Sequence, residues 1–220
     1  MNHCLRRHVA LVFLVLLGGA ASAAGEPSPS RVAPAPPAPE SASARASQVD
    51  RVLARARLEV ERWVIYDPTY VPIAYPNGDV AENRGVCTDV VVRAFRAVDI
   101  DLQRLIHQDI LRRPAAYTTV KRPDTNIDHR RVAPMLTYMR GAWKSLTTKR
   151  DASTWQEWQP GDVIVWSFLP CPKCSPNHVG IVSDKKGSRG LPLVIHNLGP
   201  FPREDDKLDA WTVLGHFRRE

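Results

Sequence analysis

The segment Asn177-His178-Val179-Gly180-Ile181-Val182 is short, rich in β-branched residues and bounded by turn residues. Such a run favours a β-strand, because branched side chains pack well on a pleated surface. Similar runs follow Pro160-Gly161, and together the four runs span 162–168, 178–184, 191–197 and 212–218. We predict that these strands form one antiparallel sheet.

Helical periodicity dominates the chain before this sheet. Apolar residues recur at helical spacing over 48–65, which predicts an amphipathic helix. The sequence also predicts helices over about 87–98, 102–111 and 133–140, whereas 67–85 is rich in Pro, Tyr and Gly and predicts a long ordered loop. Helices followed by strands favour the α+β class, with the helices packed on the C-terminal sheet.

Residues 1–23 predict a secretory signal peptide. Arg6 and Arg7 precede an apolar run over 9–17, and the segment ends in Ala21-Ser22-Ala23. The apolar run is shorter than the roughly 18 residues that a membrane-spanning helix needs. We therefore expect cleavage and no stable membrane insertion afterwards. Residues 24–47, rich in Pro, Ala and Ser, predict an extended linker, which leaves 48–220 as the folded domain.

Export and charge narrow the choice of partners. The signal peptide implies an exported protein, and we expect the periplasm of a Gram-negative bacterium. The chain of 220 residues has a net charge of +7, and the predicted domain has 26 basic and 21 acidic side chains, or +5. Without a basic run or an aromatic-basic repeat, nucleic acid is not expected as a partner. A slightly basic surface is compatible with an anionic cell-wall polymer, and simple solubility explains it equally well.

Cys87 is the candidate nucleophile. Of the four cysteines, Cys4 leaves with the signal peptide, and Cys171 and Cys174 are close enough to pair. A lone thiol in an oxidising compartment needs a reason, and nucleophilic catalysis is one; a buried structural cysteine is the alternative. Because Cys87 lies in the first turn of a predicted helix, the helix dipole is expected to lower its pKa and to make its alkylation unusually fast.

Two histidines are candidates to assist this thiol. His178 begins one predicted strand and His196 ends the next one. Histidines on adjacent strands can be neighbours, so His196 could orient the ring of His178 while His178 acts as the base for Cys87. A structural role for each histidine is the alternative.

Several motifs together resemble a known group of enzymes. Gly85-Val86-Cys87-Thr88-Asp89, the strand opening Pro160-Gly161-Asp162-Val163, and the segments around His178 and His196 resemble, in order, the NlpC-type cysteine peptidases. More narrowly, 85–93, 124–132 and the C-terminal segments 194–199 and 214–217 resemble the bacterial family called domain of unknown function 1287, over about residues 50–220. One departure is Val86, because NlpC-type enzymes usually carry Asp directly before the cysteine.

The resemblance implies a fold and a chemistry. It implies a papain-like NlpC-type fold, with Cys87 as nucleophile, His178 as base and His196 as the orienting residue. It also implies cleavage of peptide bonds in bacterial peptidoglycan, with the backbone N–H of Cys87 as an oxyanion donor. No metal and no cofactor is required by such a mechanism.

The polar segment 124–131 is a candidate substrate-binding element. Arg130 or Arg131 could pair with a substrate carboxylate, since a guanidinium matches that group with two hydrogen bonds, and we include Asp128 and His129 in the same candidate set. A solvated loop with capping carboxylates is the alternative.

The motif Cys171-Pro172-Lys173-Cys174 has three interpretations. A short-loop disulfide suits the oxidising compartment. A zinc site would combine both thiolates with His178 or His196. A redox motif fits less well, because the surrounding loop is crowded with prolines and does not open a helix.

The leading functional hypothesis is therefore an exported cysteine amidase or endopeptidase that hydrolyses amide bonds in peptidoglycan peptides. One alternative is a non-catalytic module of the same fold that binds the cell wall. Another is a zinc-dependent hydrolase built on Cys171, Cys174 and a histidine.

Overall fold

The structure is a computed structural model, and it describes residues 42–220. The predicted signal peptide, 1–23, and residues 24–41 of the predicted linker lie outside the described residues. In the described range, no helix combines the length and the apolar character needed to cross a membrane.

Four α-helices occur in residues 42–220, where the sequence predicted four. They are α1 (Ala42–Glu61), α2 (Cys87–Arg96), α3 (Leu102–Arg112) and α4 (Val132–Ala142). α1 begins before residue 48, so residues 42–47 belong to the helix and not to the predicted linker. This stretch contains good helix formers and no proline. α1 ends before residue 65, because Trp63 adopts a φ of +52° that a right-handed helix cannot continue.

The strands form one large sheet and one small pair. Within the described chain they are β1 (Ile65–Tyr66), β2 (Arg84–Gly85), β3 (Lys144–Ser145), β4 (Val163–Ser167), β5 (His178–Lys186), β6 (Pro192–Asn197), β7 (Pro202–Asp205) and β8 (Thr212–Arg218). β1 and β2 pair in parallel. The other six form a sheet in the order β3-β8-β4-β5-β6-β7 with antiparallel neighbours. The predicted α+β class, with helices before an antiparallel sheet, is confirmed.

The sequence predicted β4, β5, β6 and β8 but neither edge strand of the large sheet. β3 has only two residues, and both are polar. β7 has the sequence Pro-Arg-Glu-Asp, which lacks β-branched residues. Proline at the first position is tolerated at a sheet edge, where its missing N–H is not needed. Backbone pairing with β6, rather than strand propensity, therefore fixes β7.

The large sheet is buried on both faces near its centre. Val163 and Val165 of β4 belong to a core shared with the helices, whereas Ile164 and Trp166 belong to a second cluster that includes Leu208. Successive side chains of a strand point to opposite faces, so β4 contributes to both clusters. Each fully buried side chain of this size contributes roughly 1.5–3 kcal/mol, and the centre of the sheet is correspondingly well anchored.

Strands β5 and β6 approach closely where the two candidate histidines lie. A Cβ atom at Gly180 would come within 2.6 Å of Cγ1 of Val194 and 3.1 Å of Cβ of His196, so this spacing requires glycine. At the end of β6, Nδ2 of Asn197 donates a hydrogen bond to the carbonyl oxygen of Gly85 at 3.3 Å. The same end of the sheet is thereby tied to the backbone that leads into α2.

Candidate active site

Cys87 is the first residue of α2 and lines a cavity of about 350 Å³. Tyr66, Tyr70, Asn177 and Arg131 contribute to the cavity walls. Cys87 is 5% exposed, and the backbone N–H of Val179, next to His178, acts to lower the pKa of its thiol. The described residues show no direct hydrogen bond between this sulfur and the ring of His178. Catalytic contacts are often loose without substrate and tighten in the complex.

Burial controls the ionisation of Cys87. It raises the pKa of the thiol to about 12, against the opposing effect of the N–H groups of Val179, Thr88 and Cys87 itself. A rise from 9.0 to about 12 corresponds to roughly 4 kcal/mol. A helix N-terminus contributes at most about 2 kcal/mol in the opposite direction. The expectation of a lowered pKa is therefore wrong for the resting structure, because desolvation outweighs the helix dipole.

Alkylation of Cys87 is expected to be slow at neutral pH. The thiolate is the reactive form, and a thiol with a pKa of about 12 is almost entirely protonated at pH 7. We expect the rate of iodoacetamide modification of the folded protein, followed by mass spectrometry, to rise with each pH increment from 7 to 10. The urea-unfolded protein provides the control, and its rate should level off near the ordinary cysteine pKa. A rate for the folded protein that is already at its plateau at pH 7 would contradict the raised pKa.

The two candidate histidines are hydrogen-bonded to each other. Nε2 of His178 lies 2.8 Å from Nδ1 of His196, and Nε2 of His196 lies 2.8 Å from Oδ1 of Asp205. The two histidines predicted to act together are thus in contact, and Asp205 extends them to a hydrogen-bonded row of three side chains. Burial acts to raise the pKa of Asp205, but the hydrogen bond with His196 keeps it below its usual value.

The carboxylate of Asp205 determines the tautomers in this row. An ionised carboxylate can only accept, so a neutral His196 carries its proton on Nε2 and accepts at Nδ1. Nε2 of His178 must then be the donor, which leaves Nδ1 of a neutral His178 without a proton. Nδ1 makes no hydrogen bond to any of residues 42–220. The ring is therefore in the form that a general base requires.

Aromatic side chains surround His178. Its ring centroid lies 5.5 Å from that of Trp166, 5.5 Å from that of Phe168 and 5.6 Å from that of Trp211. Burial among these rings removes water from the imidazole of His178. This desolvation, together with the neighbouring His196, lowers the pKa of His178 to about 3. At neutral pH the resting pair is consequently a neutral imidazole and a neutral thiol.

Asp89 and Arg130 form a buried ion pair next to the nucleophile. Nε of Arg130 donates to Oδ1 of Asp89 at 3.0 Å, and Nη2 donates to Oδ2 at 3.1 Å. Arg130 also donates to the carbonyl oxygens of Asp67 and Thr69. Asp89 in turn accepts from the N–H of Val86 at 2.7 Å and so caps the start of α2. The expectation that Arg130 pairs with substrate is corrected, because each of its three guanidinium nitrogens already donates to the protein.

The other candidate substrate-binding residues differ in how exposed their side chains are. Asp128 and His129 are buried, and Oδ2 of Asp128 accepts from the backbone N–H of Asp124 at 2.6 Å. Burial raises the pKa of Asp128 and lowers that of His129 to about 4. Arg131 has a side chain that is 55% exposed, and it lines the cavity of Cys87. Arg130 lines the same cavity but is buried, so Arg131 is the member of this set that is placed to meet a ligand.

Cys171 and Cys174 form a disulfide in the loop that precedes β5. Their sulfur atoms are therefore joined to each other in this structure, which removes both thiolates from the hypothetical zinc site. Among the described residues, no group of three or more His, Cys, Asp or Glu side chains is arranged to hold a metal ion.

Sequence inspection missed two parts of this site. Asp205 lies in an acidic run on β7, a strand that propensity did not predict, so nothing linked it to His196. Tyr66 lines the cavity beside Cys87, and burial together with the nearby Cys87 raises the pKa of its phenol. The aromatic density of the loops was the one available signal for this part of the site.

Comparison with known proteins identifies the family. The family model described as "Domain of unknown function (DUF1287)" matches residues 53–219. The uncharacterized protein YijF of Escherichia coli (strain K12) is 42% identical over 166 residues, which cover 74% of this chain and 78% of YijF. The structure of NlpC2 from Trichomonas vaginalis aligns with a TM-score of 0.44 and 13% identity, over 78% of this chain and 46% of that one. This chain therefore spans less than half the length of that neighbour. The two sequence matches are extensive enough to decide membership: the chain belongs to the family called domain of unknown function 1287.

Proposed function

We propose that this protein is a cysteine hydrolase of the amidase or peptidase type that cleaves amide bonds in peptidoglycan peptides. The observation that carries the proposal is the row His178–His196–Asp205, which leaves Nδ1 of a neutral His178 unprotonated. Cys87 lines a cavity at the same end of the sheet, and the N–H of the residue after His178 acts to lower the pKa of its thiol. A nucleophile, a base and groups that orient the base are the components of covalent acyl transfer.

The first half of the reaction forms a thioester. As the sulfur of Cys87 attacks the amide carbonyl carbon, its proton passes to Nδ1 of His178, because the resting thiol is protonated. The imidazolium formed is stabilised through His196 by the charge of Asp205. The C–N bond then breaks, and the leaving nitrogen takes the proton from Nδ1 and departs as an amine.

The second half regenerates the enzyme. His178, neutral again, takes a proton from a water molecule as the water oxygen attacks the thioester carbonyl carbon. The C–S bond breaks, the sulfur of Cys87 recovers its proton from His178, and the acyl group leaves as a carboxylic acid. In each half of the reaction, Nδ1 of His178 first accepts a proton and then donates it.

Two groups can stabilise the negative oxygen of the intermediates. The backbone N–H of Cys87 lies in the first turn of α2, where helical N–H groups lack intrahelical partners. The phenol of Tyr66 lies in the wall of the same cavity, and its raised pKa keeps it protonated as a donor. Donors of this kind act in a water-poor site, where each is worth several kcal/mol.

The proposed export would bring the protein to its proposed substrate. The signal peptide proposed for residues 1–23 would deliver it to the periplasm, where peptidoglycan lies. The cavity around Cys87 is open to a peptide, and Arg131 at its edge offers a cation to the carboxylates that such peptides carry.

Mass spectrometry of digested peptidoglycan tests the proposal. The purified mature protein is incubated with peptidoglycan fragments, with and without a chelator, and new amine and carboxyl termini are identified. We expect cleavage that the chelator does not affect. Absence of any new terminus would favour a non-catalytic wall-binding module, and loss of cleavage with the chelator would favour a metal-dependent hydrolase.

A further inference from the structure

A second, larger cavity adjoins the cavity of Cys87. It has a volume of about 670 Å³, and its walls include Tyr70, Ile127 and Arg131, which also line the cavity of Cys87. The two cavities therefore meet along these three side chains. A ligand with its scissile bond at Cys87 can extend past Arg131 into the second cavity.

The second cavity is rich in cations that lack protein partners. Lys121 and Arg122 line it and are exposed, and within residues 42–220 neither side chain forms a hydrogen bond or an ion pair. Arg131 has only a long contact of 3.8 Å with Asp128. Many arginines elsewhere are neutralised by carboxylates at short distance, including Arg93 by Glu59 and Arg218 by Asp162. The three cations of this cavity, by contrast, have no carboxylate at short distance among the described residues.

One described carboxylate, Asp124, lines the second cavity, and its oxygens are already engaged. Oδ1 accepts from the backbone N–H of Asn126 at 2.8 Å and from Nδ2 of Asn126 at 3.0 Å. Oδ2 accepts from the hydroxyl of Tyr70 at 3.1 Å. Asp124 contributes one negative charge against the three cations, so the cavity keeps an excess of positive charge.

The loop segment that follows Lys121 and Arg122, residues 124–126, is held in place by the rest of the fold. Oδ1 of Asn126 accepts from the N–H of Ile73 at 2.9 Å, and Nε2 of Gln103 donates to the carbonyl oxygen of Thr125 at 3.0 Å. The backbone N–H of Asp124 donates to the buried Asp128. The backbone of this segment is therefore already fixed, so binding a ligand has to order side chains but not this part of the loop.

We propose that the second cavity is a subsite for a carboxylate of the substrate, remote from the bond that is cleaved, with Lys121 and Arg122 as its ligands. Arg131 lies at the junction, where it contacts the part of the substrate between that carboxylate and the scissile amide. The inference rests on the proposed function for its substrate. It adds that the preferred peptides carry a negatively charged group beyond the scissile bond.

Matched peptides and matched charge variants test the subsite. Two synthetic substrates differ in one group, a free carboxylate in one and the corresponding carboxamide in the other. The double variant Lys121→Gln/Arg122→Gln is compared with Arg51→Gln/Lys186→Gln, which removes the same charge from exposed positions on α1 and at the far end of β5. We expect the first variant to lose about tenfold in kcat/KM on the carboxylate peptide, mainly through KM, because charge-assisted hydrogen bonds are lost.

The controls separate this inference from the proposed function. On the carboxamide peptide the loss caused by Lys121→Gln/Arg122→Gln should be much smaller than on the carboxylate peptide, and the Arg51→Gln/Lys186→Gln protein should match the wild type on both peptides. Equal kcat/KM of the wild type on the two peptides would overturn the subsite while leaving the hydrolase proposal intact. If no peptide is cleaved, calorimetric titration of the Cys87→Ala protein with both peptides still decides the point. Tighter binding of the carboxylate peptide that Lys121→Gln/Arg122→Gln abolishes supports the subsite, and equal binding of the two peptides refutes it.

Discussion

Cys87→Ala is expected to reduce amide hydrolysis by on the order of 10⁴-fold or more, to the level that substrate binding and oxyanion donors alone can support. The sulfur is the atom that forms the thioester, and no other described thiol is free, since Cys171 and Cys174 are joined. The substitution replaces the buried sulfhydryl group with a hydrogen atom, which is a small change in volume, so the fold should persist. Single-turnover rates on a defined peptide, with circular dichroism to verify folding, measure the effect.

Residues further along the row should have graded effects. His178→Ala removes the base and is expected to cost nearly as much as Cys87→Ala, because the two act as a unit. Asp205→Asn keeps the shape but removes the charge that stabilises the imidazolium. A loss of roughly 1.5–3 kcal/mol for a hydrogen bond to a charged group predicts a decrease of about 10- to 100-fold in kcat. Asp50→Asn, the same substitution at an exposed position of α1 outside this row, serves as the matched control. Equal activity of Asp205→Asn and the wild type would remove Asp205 from the mechanism.

The sequence predicted the elements of the site better than their energetics. Periodicity predicted α2 and the strands β5 and β6, and these elements carry Cys87, His178 and His196. Cys87 begins its helix as predicted, yet its pKa is raised. The dipole of a helix is a local property that can be inferred from position, whereas desolvation depends on distant segments that cover the thiol. Only the folded arrangement reveals which of the two is larger.

Long-range pairing also explains what the sequence did not reveal at Asp205 and Arg130. Asp205 reaches His196 through β7, which forms by pairing with β6 and not by intrinsic propensity. Arg130 and Arg131 are adjacent and chemically identical, so no pattern in the chain distinguishes them. The short helical turn at Asp128–Arg130 directs the first toward Asp89 and leaves the second exposed. Partner choice at such a pair is a tertiary property.

Arg130→Met is expected to destabilise the protein by about 3–5 kcal/mol, whereas Arg131→Met should change stability by less than about 0.5 kcal/mol. The side chains of Arg130 and Asp89 are 2% and 4% exposed. Removing the guanidinium therefore leaves a buried carboxylate without its counter-charge and also leaves two backbone carbonyl oxygens without donors. Arg131 has no comparable contact. Urea unfolding of the two variants, followed by circular dichroism, measures the difference.

A compensating variant distinguishes a lost charge partner from lost packing. In Asp89→Asn/Arg130→Met, no unpaired charge remains, and the asparagine oxygen can still accept from the N–H of Val86. Part of the lost stability should therefore return.

Activity provides the second comparison. Arg131→Met should retain wild-type stability and lose kcat/KM through a higher KM, because it removes a cation from the substrate path and nothing from the scaffold. The opposite outcome is that Arg130→Met is as stable as the wild type and shows the higher KM instead of Arg131→Met. In that case Arg130 is the substrate ligand, and its pairing with Asp89 contributes little to the fold.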